Sequence, residues 1–267
     1  MIFIKKAKKS LGQNFLIDQN IINKIVNIGN IKNDNIVMEI GPGYGSLTKK
    51  ILNNKPKKLY AIEKDKKLSN HLKNIFKNSD NINIINDDFL EFIKKENVGK
   101  KIIVFGNLPY NVSTQILASL ATLKKWPPWF EILILMFQKE VADRIIANDN
   151  SKDYSRLTVL SNWRFEIKKH FDISKNCFSP KPKVSSTLLS FKPIINKYKL
   201  KNPKTLEKIT SVLFSNRRKM INKNFLKLFG KNEYLAKELN LNLSHRPEQL
   251  SKEMFYKIAM KYEELVG

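Results

Sequence analysis

Short apolar runs alternate with helical patterns along this chain, and that alternation leaves few folds open. Ile36–Ile40, Leu59–Ile62, Ile82–Ile85, Ile102–Phe105 and Ile132–Phe137 each read as a buried strand. Between them Leu47, Ile51 and Leu52, then Leu68, Leu72, Ile75 and Phe76, then Val112, Ile116, Leu117 and Leu120 recur at helical spacing. Val141 and Ile145 follow the last run in the same way. Strands separated by helices predict a parallel, doubly wound α/β sheet. Such a sheet binds ligands outside the carboxyl ends of its strands. The chain's glycine-rich and polar motifs sit at those ends.

The motif after the fourth run is Phe105-Gly106-Asn107-Leu108-Pro109-Tyr110-Asn111. The Asn107 amide offers both an acceptor and donors. Pro109 fixes its φ and stiffens the turn, and Tyr110 supplies a flat face. That set suits a planar, amino-bearing substrate such as a nucleobase; the plainer alternative is a polar turn with a buried tyrosine. After the first run, Gly41-Pro42-Gly43-Tyr44-Gly45 forms a turn that lets a ligand approach the backbone. Ser46 in the sixth position departs from the dinucleotide fingerprint, and no Gly-Lys-Ser/Thr follows for a P-loop. A pyrophosphate ligand is therefore disfavoured. Glu63 ends the second run, where a carboxylate accepts from ribose hydroxyls. Asp88 after the third run is placed to accept from an adenine amine, with the Phe89 N–H donating to a ring nitrogen; alternatively Asp88 caps the Phe89–Ile93 segment. Together these residues outline a nucleoside site without a phosphate cradle. S-adenosylmethionine fits that description, and its cationic sulfonium suits acidic walls.

The 267 residues allow one large domain, or a large and a small one. The net charge of +25 is costly unless a polyanion neutralises it. Nucleic acid is the first expectation and an anionic membrane surface the second; a general Lys, Asn and Ile bias is the compositional alternative. Cys177 stands alone, so the chain forms no internal disulfide and no cysteine zinc site. His71, His170 and His245 are scattered and suggest no metal cluster. Residues 1–10 read as a flexible basic arm whose order is opposite to that of a secretory signal. No apolar run approaches a membrane span. A cytoplasmic monomer is expected. After about residue 150 the alternation weakens. Leu157–Phe165 and Thr187–Phe191 read as late strands, antiparallel at one edge, around a proline-stiffened loop, Cys177–Val184. A lysine-rich linker, Lys192–Lys204, leads to a helical tail with stripes at Leu206, Ile209, Val212 and Leu213 and at Ile221, Phe225 and Leu228. Leu250, Ser251 and Phe255 match a hydrophobic staple around a serine cap.

Four segments carry a resemblance over nearly the whole chain, in register. They are Leu11-Gly12-Gln13-Asn14-Phe15-Leu16, Glu39-Ile40-Gly41-Pro42-Gly43, Asn107-Leu108-Pro109-Tyr110-Asn111 and Phe178-Ser179-Pro180-Lys181-Pro182-Lys183-Val184. The set resembles the ribosomal RNA adenine dimethyltransferases, most closely their bacterial small-subunit branch. The resemblance implies a class I, Rossmann-like methyltransferase domain over residues 11–195 and a small all-helical, RNA-contacting domain over 200–267. It implies S-adenosylmethionine as cofactor, with Asn14 and Leu16 touching it from the N-terminal segment. Gly41 and Gly43 would line its methionine side, Glu63 its ribose, and Asp88 and Phe89 its adenine. Asn107 would sit between cofactor and target base, with Tyr110 and Phe178 sandwiching a flipped adenine. The implied target is a pair of adjacent adenines in the loop of the last helix of 16S rRNA, in a pre-30S particle. Tyr44-Gly45 departs from relatives that often carry Leu there, yet Gly45 keeps the turn small.

The chemistry follows from residue types. An adenine amine is a poor nucleophile because its lone pair is delocalised into the ring. The Asn107 side-chain oxygen and the Leu108 carbonyl are placed to accept from that amine, localising the lone pair and aligning it for in-line displacement. The proton becomes acidic only after transfer, so no strong base is required. Stacking worth roughly 1–3 kcal/mol per base helps offset extrusion of the target. A large-subunit rRNA methyltransferase of the macrolide-resistance type is the nearest alternative. Leu108 and Ser244-His245-Arg246-Pro247-Glu248-Gln249-Leu250 favour the small-subunit branch. A DNA adenine methyltransferase, which usually has Pro at the Leu108 position, and a non-enzymatic RNA-binding assembly factor are further alternatives.

Lys219, Lys223 and Lys227 are spaced to share a helical face opposite Ile221, Phe225 and Leu228, and Arg217 and Arg218 open the segment. That face is expected to contact RNA phosphates. Neutralising the three lysines is predicted to flatten the salt dependence of RNA binding, read as the slope of log affinity against log salt. An unchanged slope would mark the face as merely solvated.

Overall fold

A computed structural model of the chain describes residues 13–94, 101–230 and 234–266. The basic arm expected over residues 1–10, with Leu11 and Gly12, lies outside the described residues. The chain forms two compact units. The first holds residues up to Ile116, Pro128–Ala142 and Ile167–Pro193. The second holds Leu117–Pro127, Asp143–Glu166 and residues from Ile194 onward.

The first part of the chain runs β1 (Phe15–Leu16), α1 (Gln19–Ile28), β2 (Ile36–Ile40), α2 (Ser46–Asn53), β3 (Lys58–Ile62), α3 (Lys66–Ile75), β4 (Ile82–Ile85), α4 (Phe89–Phe92), β5 (Ile102–Asn107), α5 (Ser113–Ala121) and β6 (Phe130–Gln138). Each apolar run of the sequence is a strand, as its β-branched content and short length predict. Side-chain caps set where helices begin: Asp18 accepts from the Ile21 N–H at 3.0 Å, and Asp65 from the Lys67 N–H at 2.8 Å.

The main sheet has seven strands in the order β4-β3-β2-β5-β6, followed by β9 (Ser186–Pro193) and β7 (Phe165–Ile173). Strands β2 to β6 pair in parallel, and β9 runs antiparallel to β6 with Leu135 opposite Leu189. The chain builds outward from β2 to β4, returns, and builds the other way from β5. The strand order therefore reverses between β2 and β5, where Ile40 lies opposite Gly106. A separate two-stranded ladder joins β1 to β8 (Phe178–Ser179).

One local reading is corrected, and one strand has no reading in the sequence. Leu157–Phe165 is not a strand: Arg156–Arg164 is helix α7, which follows α6 (Lys139–Ile145). The Ser155 N–H donates to the Thr158 hydroxyl at 3.0 Å, and Val159, Leu160 and Trp163 are buried at helical spacing in a helical core. Strand β7 has no clear sign in the sequence, because Glu166, Lys168, Lys169 and Asp172 break its apolar content. It lies at an edge of the sheet, where charged residues are tolerated and guard against unwanted pairing.

The second unit packs α7 with α8 (Lys204–Leu213), α9 (Asn222–Phe229), α10 (Tyr234–Glu238) and α11 (Lys252–Val266). Leu206, Ile209, Leu213, Ile221 and Phe225 are fully buried, as their stripes require, while Val212 and Leu228 of the same stripes are half-buried. The staple forms: Ser251 Oγ accepts from the Met254 N–H at 3.2 Å, with Leu250 and Phe255 both buried. Arg164 stitches this unit together. Its guanidinium lies 4.5 Å from the Trp126 ring centre and 4.1 Å from that of Trp163. Its Nη1 donates to the carbonyls of Ala121 (3.2 Å) and Leu123 (2.6 Å). Burial pushes its pKa down to about 10, so it remains charged at neutral pH. Trp126 Nε1 donates to the Ile194 carbonyl and Trp163 Nε1 to the Tyr198 carbonyl, so the segment after β9 is held to the same centre. Glu263 accepts from the N–H groups of Lys201 and Asn202 at 2.6 and 2.8 Å, fixing the approach to α8.

Arg164→Ala removes two ring contacts and strands two carbonyls. It is expected to destabilise the protein by about 2–4 kcal/mol in urea unfolding. A change within about 0.5 kcal/mol, the usual range for a surface substitution, would show that the ring contacts and carbonyl bonds are incidental.

Candidate nucleoside-binding and base-binding site

The strand-order reversal opens a cleft whose empty volume, open solvent at its mouth included, is about 910 Å³. One wall is the turn between β2 and α2. Gly41, Gly43 and Gly45 all take left-handed φ values, +67°, +60° and +84°. Gly43 has a second requirement, since a Cβ there would come within 2.7 Å of the Phe15 ring. Phe15 packs edge-on against Tyr44, with ring centres 4.6 Å apart. The residue that departs from the family pattern thus helps hold the N-terminal strand over the glycine turn.

Acids form the next wall. Glu63 is 6% exposed at the end of β3. Its Oε2 accepts from the Gly43 N–H at 3.1 Å and its Oε1 from the Asp65 N–H at 2.8 Å. Burial raises its pKa, opposed by these backbone donors. Asp88 caps α4 by accepting from the Leu90 N–H at 2.9 Å, and its other oxygen pairs with Lys64 Nζ at 2.7 Å. The Lys64 hydrogen bond holds the Asp88 carboxyl below its ordinary range. The cap and the position in the cleft coexist in one side chain. Phe89 lines the same wall.

Asn107 ends β5 at the far side of the reversal. Its Nδ2 donates to the Asn14 carbonyl at 2.8 Å, which ties one of the amide's two N–H donors to the N-terminal segment and fixes the side chain. Leu108, Pro109 and Tyr110 continue the wall. The Tyr110 hydroxyl is hydrogen-bonded to Ser186 Oγ at 2.7 Å, and burial raises its pKa.

The structure therefore gathers Asn14, Gly41, Gly43, Glu63, Asp88, Phe89, Asn107, Leu108 and Tyr110 around one cleft. It does not bring Leu16 and Phe178 side chains there. The β1–β8 ladder sets Leu16 opposite Phe178, and both turn into the apolar core, 4% and 3% exposed. The basic segment is also rearranged. Lys223 and Lys227 lie exposed on α9, but Lys219 precedes that helix, so the three do not share one helical face. Arg217 is tied down by Glu248 (Nε to carboxylate, 2.9 Å) and by the Lys152 carbonyl, while Arg218 is exposed. Among the described residues, no group of three or more His, Cys, Asp or Glu is placed to hold a metal ion, and no helix is long and apolar enough to cross a membrane.

Sequence reasoning gives no role to Lys64, Ser186 or Glu39. The one signal for Glu39 is an acid inside an apolar strand. It is 2% exposed and accepts from Thr48 Oγ1 at 2.6 Å. Burial, opposed by Thr48 and aided by Glu63, pushes its pKa up to about 8, so it holds a proton at neutral pH.

The residues present fit an adenosyl ligand with a cationic centre: hydrogen-bonded acids at the ends of β3 and β4, an open glycine turn, and apolar Ile40, Ile62 and Phe89 between them. A family model described as "Ribosomal RNA adenine dimethylase" matches residues 4–264. The chain is 49% identical over 262 residues to the ribosomal RNA small subunit methyltransferase A of Pelagibacter ubique, covering 98% of this chain and 99% of that protein. It is 41% identical over 265 residues to the protein of the same name from a Wolbachia strain of Drosophila simulans, covering 98% and 95%. Its fold superimposes on a crystal structure of a dimethyladenosine transferase from Plasmodium falciparum with a TM-score of 0.74 at 25% identity, covering 94% and 98% of the two chains. The 23S rRNA methyltransferase ErmE shares the fold, with a TM-score of 0.65 at 21% identity, covering 94% and 100%.

The protonated Glu39 makes a pH prediction. Its folded pKa lies above its unfolded value near 4.5, so its stabilising contribution is complete below about 4.5 and is lost as pH rises through about 8. Unfolding free energy should fall across that window in the wild type and fall less in Glu39→Gln, which keeps a partner for Thr48. Parallel pH profiles for the two proteins would mean that Glu39 carries no proton.

Proposed function

The chain belongs to the ribosomal RNA adenine dimethylase family, and from that premise we propose that it dimethylates the N6 amines of two adjacent adenines in the 3′-terminal helix loop of 16S rRNA, within pre-30S particles. It is an S-adenosylmethionine-dependent rRNA adenine dimethyltransferase. The small-subunit names of its relatives support the choice of 16S rRNA.

When bound, S-adenosylmethionine supplies an electrophilic methyl group on a sulfonium. Glu63, with both oxygens already held by backbone N–H groups, is positioned to receive ribose hydroxyls on its remaining lone pairs. Asp88 and the Phe89 N–H are assigned to adenine, and Gly41 and Gly43 to the methionine side. Asn14 and Leu16 belong to the N-terminal segment over the cleft, and Leu16 acts through packing.

The observation that carries the reading is the Asn107 hydrogen bond to the Asn14 carbonyl. It leaves the amide oxygen as the group presented to a target amine. The Leu108 carbonyl is the second acceptor. Two acceptors on one amine localise its lone pair and hold it in line, and fixing such geometry supplies much of the rate enhancement open to a site without a base. Among the described residues lining the cleft none is His or Cys. Tyr110 provides the stacking face for the flipped adenine, while Phe178 pairs with Leu16 in the ladder that holds the N-terminal segment. Arg218, Lys219, Lys223 and Lys227 are the phosphate contacts, with Arg217 bracing the turn that carries the first two.

Undermethylated small subunits, large subunits and S-adenosylmethionine, incubated with the protein and mapped by mass spectrometry, test this directly. Adjacent dimethyladenosines near the 3′ end of 16S rRNA are expected. Label confined to large-subunit RNA would overturn the assignment. Asn107→Ala is expected to reduce transfer at least about 10²-fold, the scale of a lost transition-state contact, with RNA affinity little changed. Weakened RNA binding with normal turnover would remove Asn107 from its assigned role.

A further inference from the structure

Tyr110 is pinned at both ends. Its carbonyl accepts from Ser113 Oγ at 3.3 Å, and its hydroxyl meets Ser186 Oγ at 2.7 Å. Ser186 is fully buried and lies 76 positions away in sequence, on a different strand. It opens β9 opposite Gln138 of β6, and the next residue, Lys139, donates its N–H to the Ser185 carbonyl at 2.9 Å. The serine is therefore fixed by the sheet, whereas Tyr110 stands on a turn after β5. A turn residue held by a sheet residue takes the rigidity of the sheet.

That rigidity bears on a requirement of this enzyme. The same site must act on an adenine and then on a monomethylated adenine. In the second round the existing methyl has to point away from the incoming one, and the base must sit against a wall that does not yield. We propose that Ser186 is a positioning residue that fixes Tyr110 as this wall and so controls the passage from the first methylation to the second. The inference rests on the dimethyltransferase reading above and deepens it. It assigns the specificity between one and two methyl groups to the hold of a strand residue on the stacking tyrosine, with Ser186 itself acting through Tyr110.

The test uses the full chain with undermethylated small subunits. Wild type, Ser186→Ala, Tyr110→Phe and the double variant are compared for first and second transfer rates, the ratio of monomethyl- to dimethyladenine, and cofactor affinity. Ser186→Ala is expected to slow the second transfer by about tenfold, the rate equivalent of one lost hydrogen bond, and to slow the first by less. Monomethyladenine should accumulate, and cofactor affinity should stay within about twofold, since the contact lies on the base side. Tyr110→Phe keeps the ring and should reproduce this pattern, so it stands in if Ser186→Ala folds poorly. The double variant should be no worse than either single one, because both remove the same contact. Equal slowing of both transfers with an unchanged product ratio overturns the inference, as do independent, multiplying effects of the two substitutions. A wild type that leaves adenine unmodified overturns the functional reading and this inference with it. With a wild type that dimethylates, any failure of the variants to shift the product ratio counts against the role of Ser186 alone.

Discussion

Pairing of β2 with β5 is the constraint on which the site depends. The chain leaves β2 in one direction and restarts from β5 in the other, so the connections from the two strand ends diverge. Ile40 faces Gly106 at that reversal, and the turn after each strand becomes one wall of a cleft. Gly106 is itself needed there, because a Cβ would come within 2.8 Å of the Leu108 side chain and 3.0 Å of Leu135. A side chain at that position would push against the buried ends of both leucines, at the root of the turn that carries the acceptors.

The cleft is completed from outside the sheet. The short strand β1 pairs with β8, outside the main sheet, yet it brings Phe15 over Gly43 and the Asn14 carbonyl to Asn107. Tyr110 is held in turn from β9. Asn107 at the end of β5 and Tyr110 on the turn after it are thus each oriented by a partner distant in sequence. Lost conformational freedom is settled during folding, so little remains to be lost when substrates bind. Burial raises the pKa of both acids: backbone N–H groups oppose the rise at Glu63, whereas at Glu39 only the Thr48 hydroxyl does, and Glu39 holds its proton. Two buried acids side by side would repel if both were charged, and the proton on Glu39 removes that repulsion.

In the helical unit a different device does the stitching. Arg164 between two tryptophans draws together segments around residues 121, 164 and 194. Tyr154, Leu160 and Trp163 share a core with the C-terminal helices, although the strand-forming segments β7 to β9 separate them in sequence. This arrangement explains why Leu157–Phe165 reads as a strand yet folds as a helix. An apolar stretch of that length carries helical and strand spacing equally, and only the core that receives it decides between them.

The sequence by itself determined the parallel α/β sheet, the glycine turn, the acids at strand ends and the Asn107–Tyr110 turn, because each depends on local spacing and residue chemistry. The staple at Leu250–Phe255 was legible for the same reason. Only the tertiary structure decided which groups are oriented and which are spent. It turned Leu16 and Phe178 into the core, committed Arg217 to Glu248, separated Lys219 from α9, and joined Ser186 to Tyr110. Except for the start of α9, those outcomes rest on pairings between residues tens of positions apart. Local periodicity carries no information on such pairings, since they are set by strand order and register rather than by the neighbours along the chain.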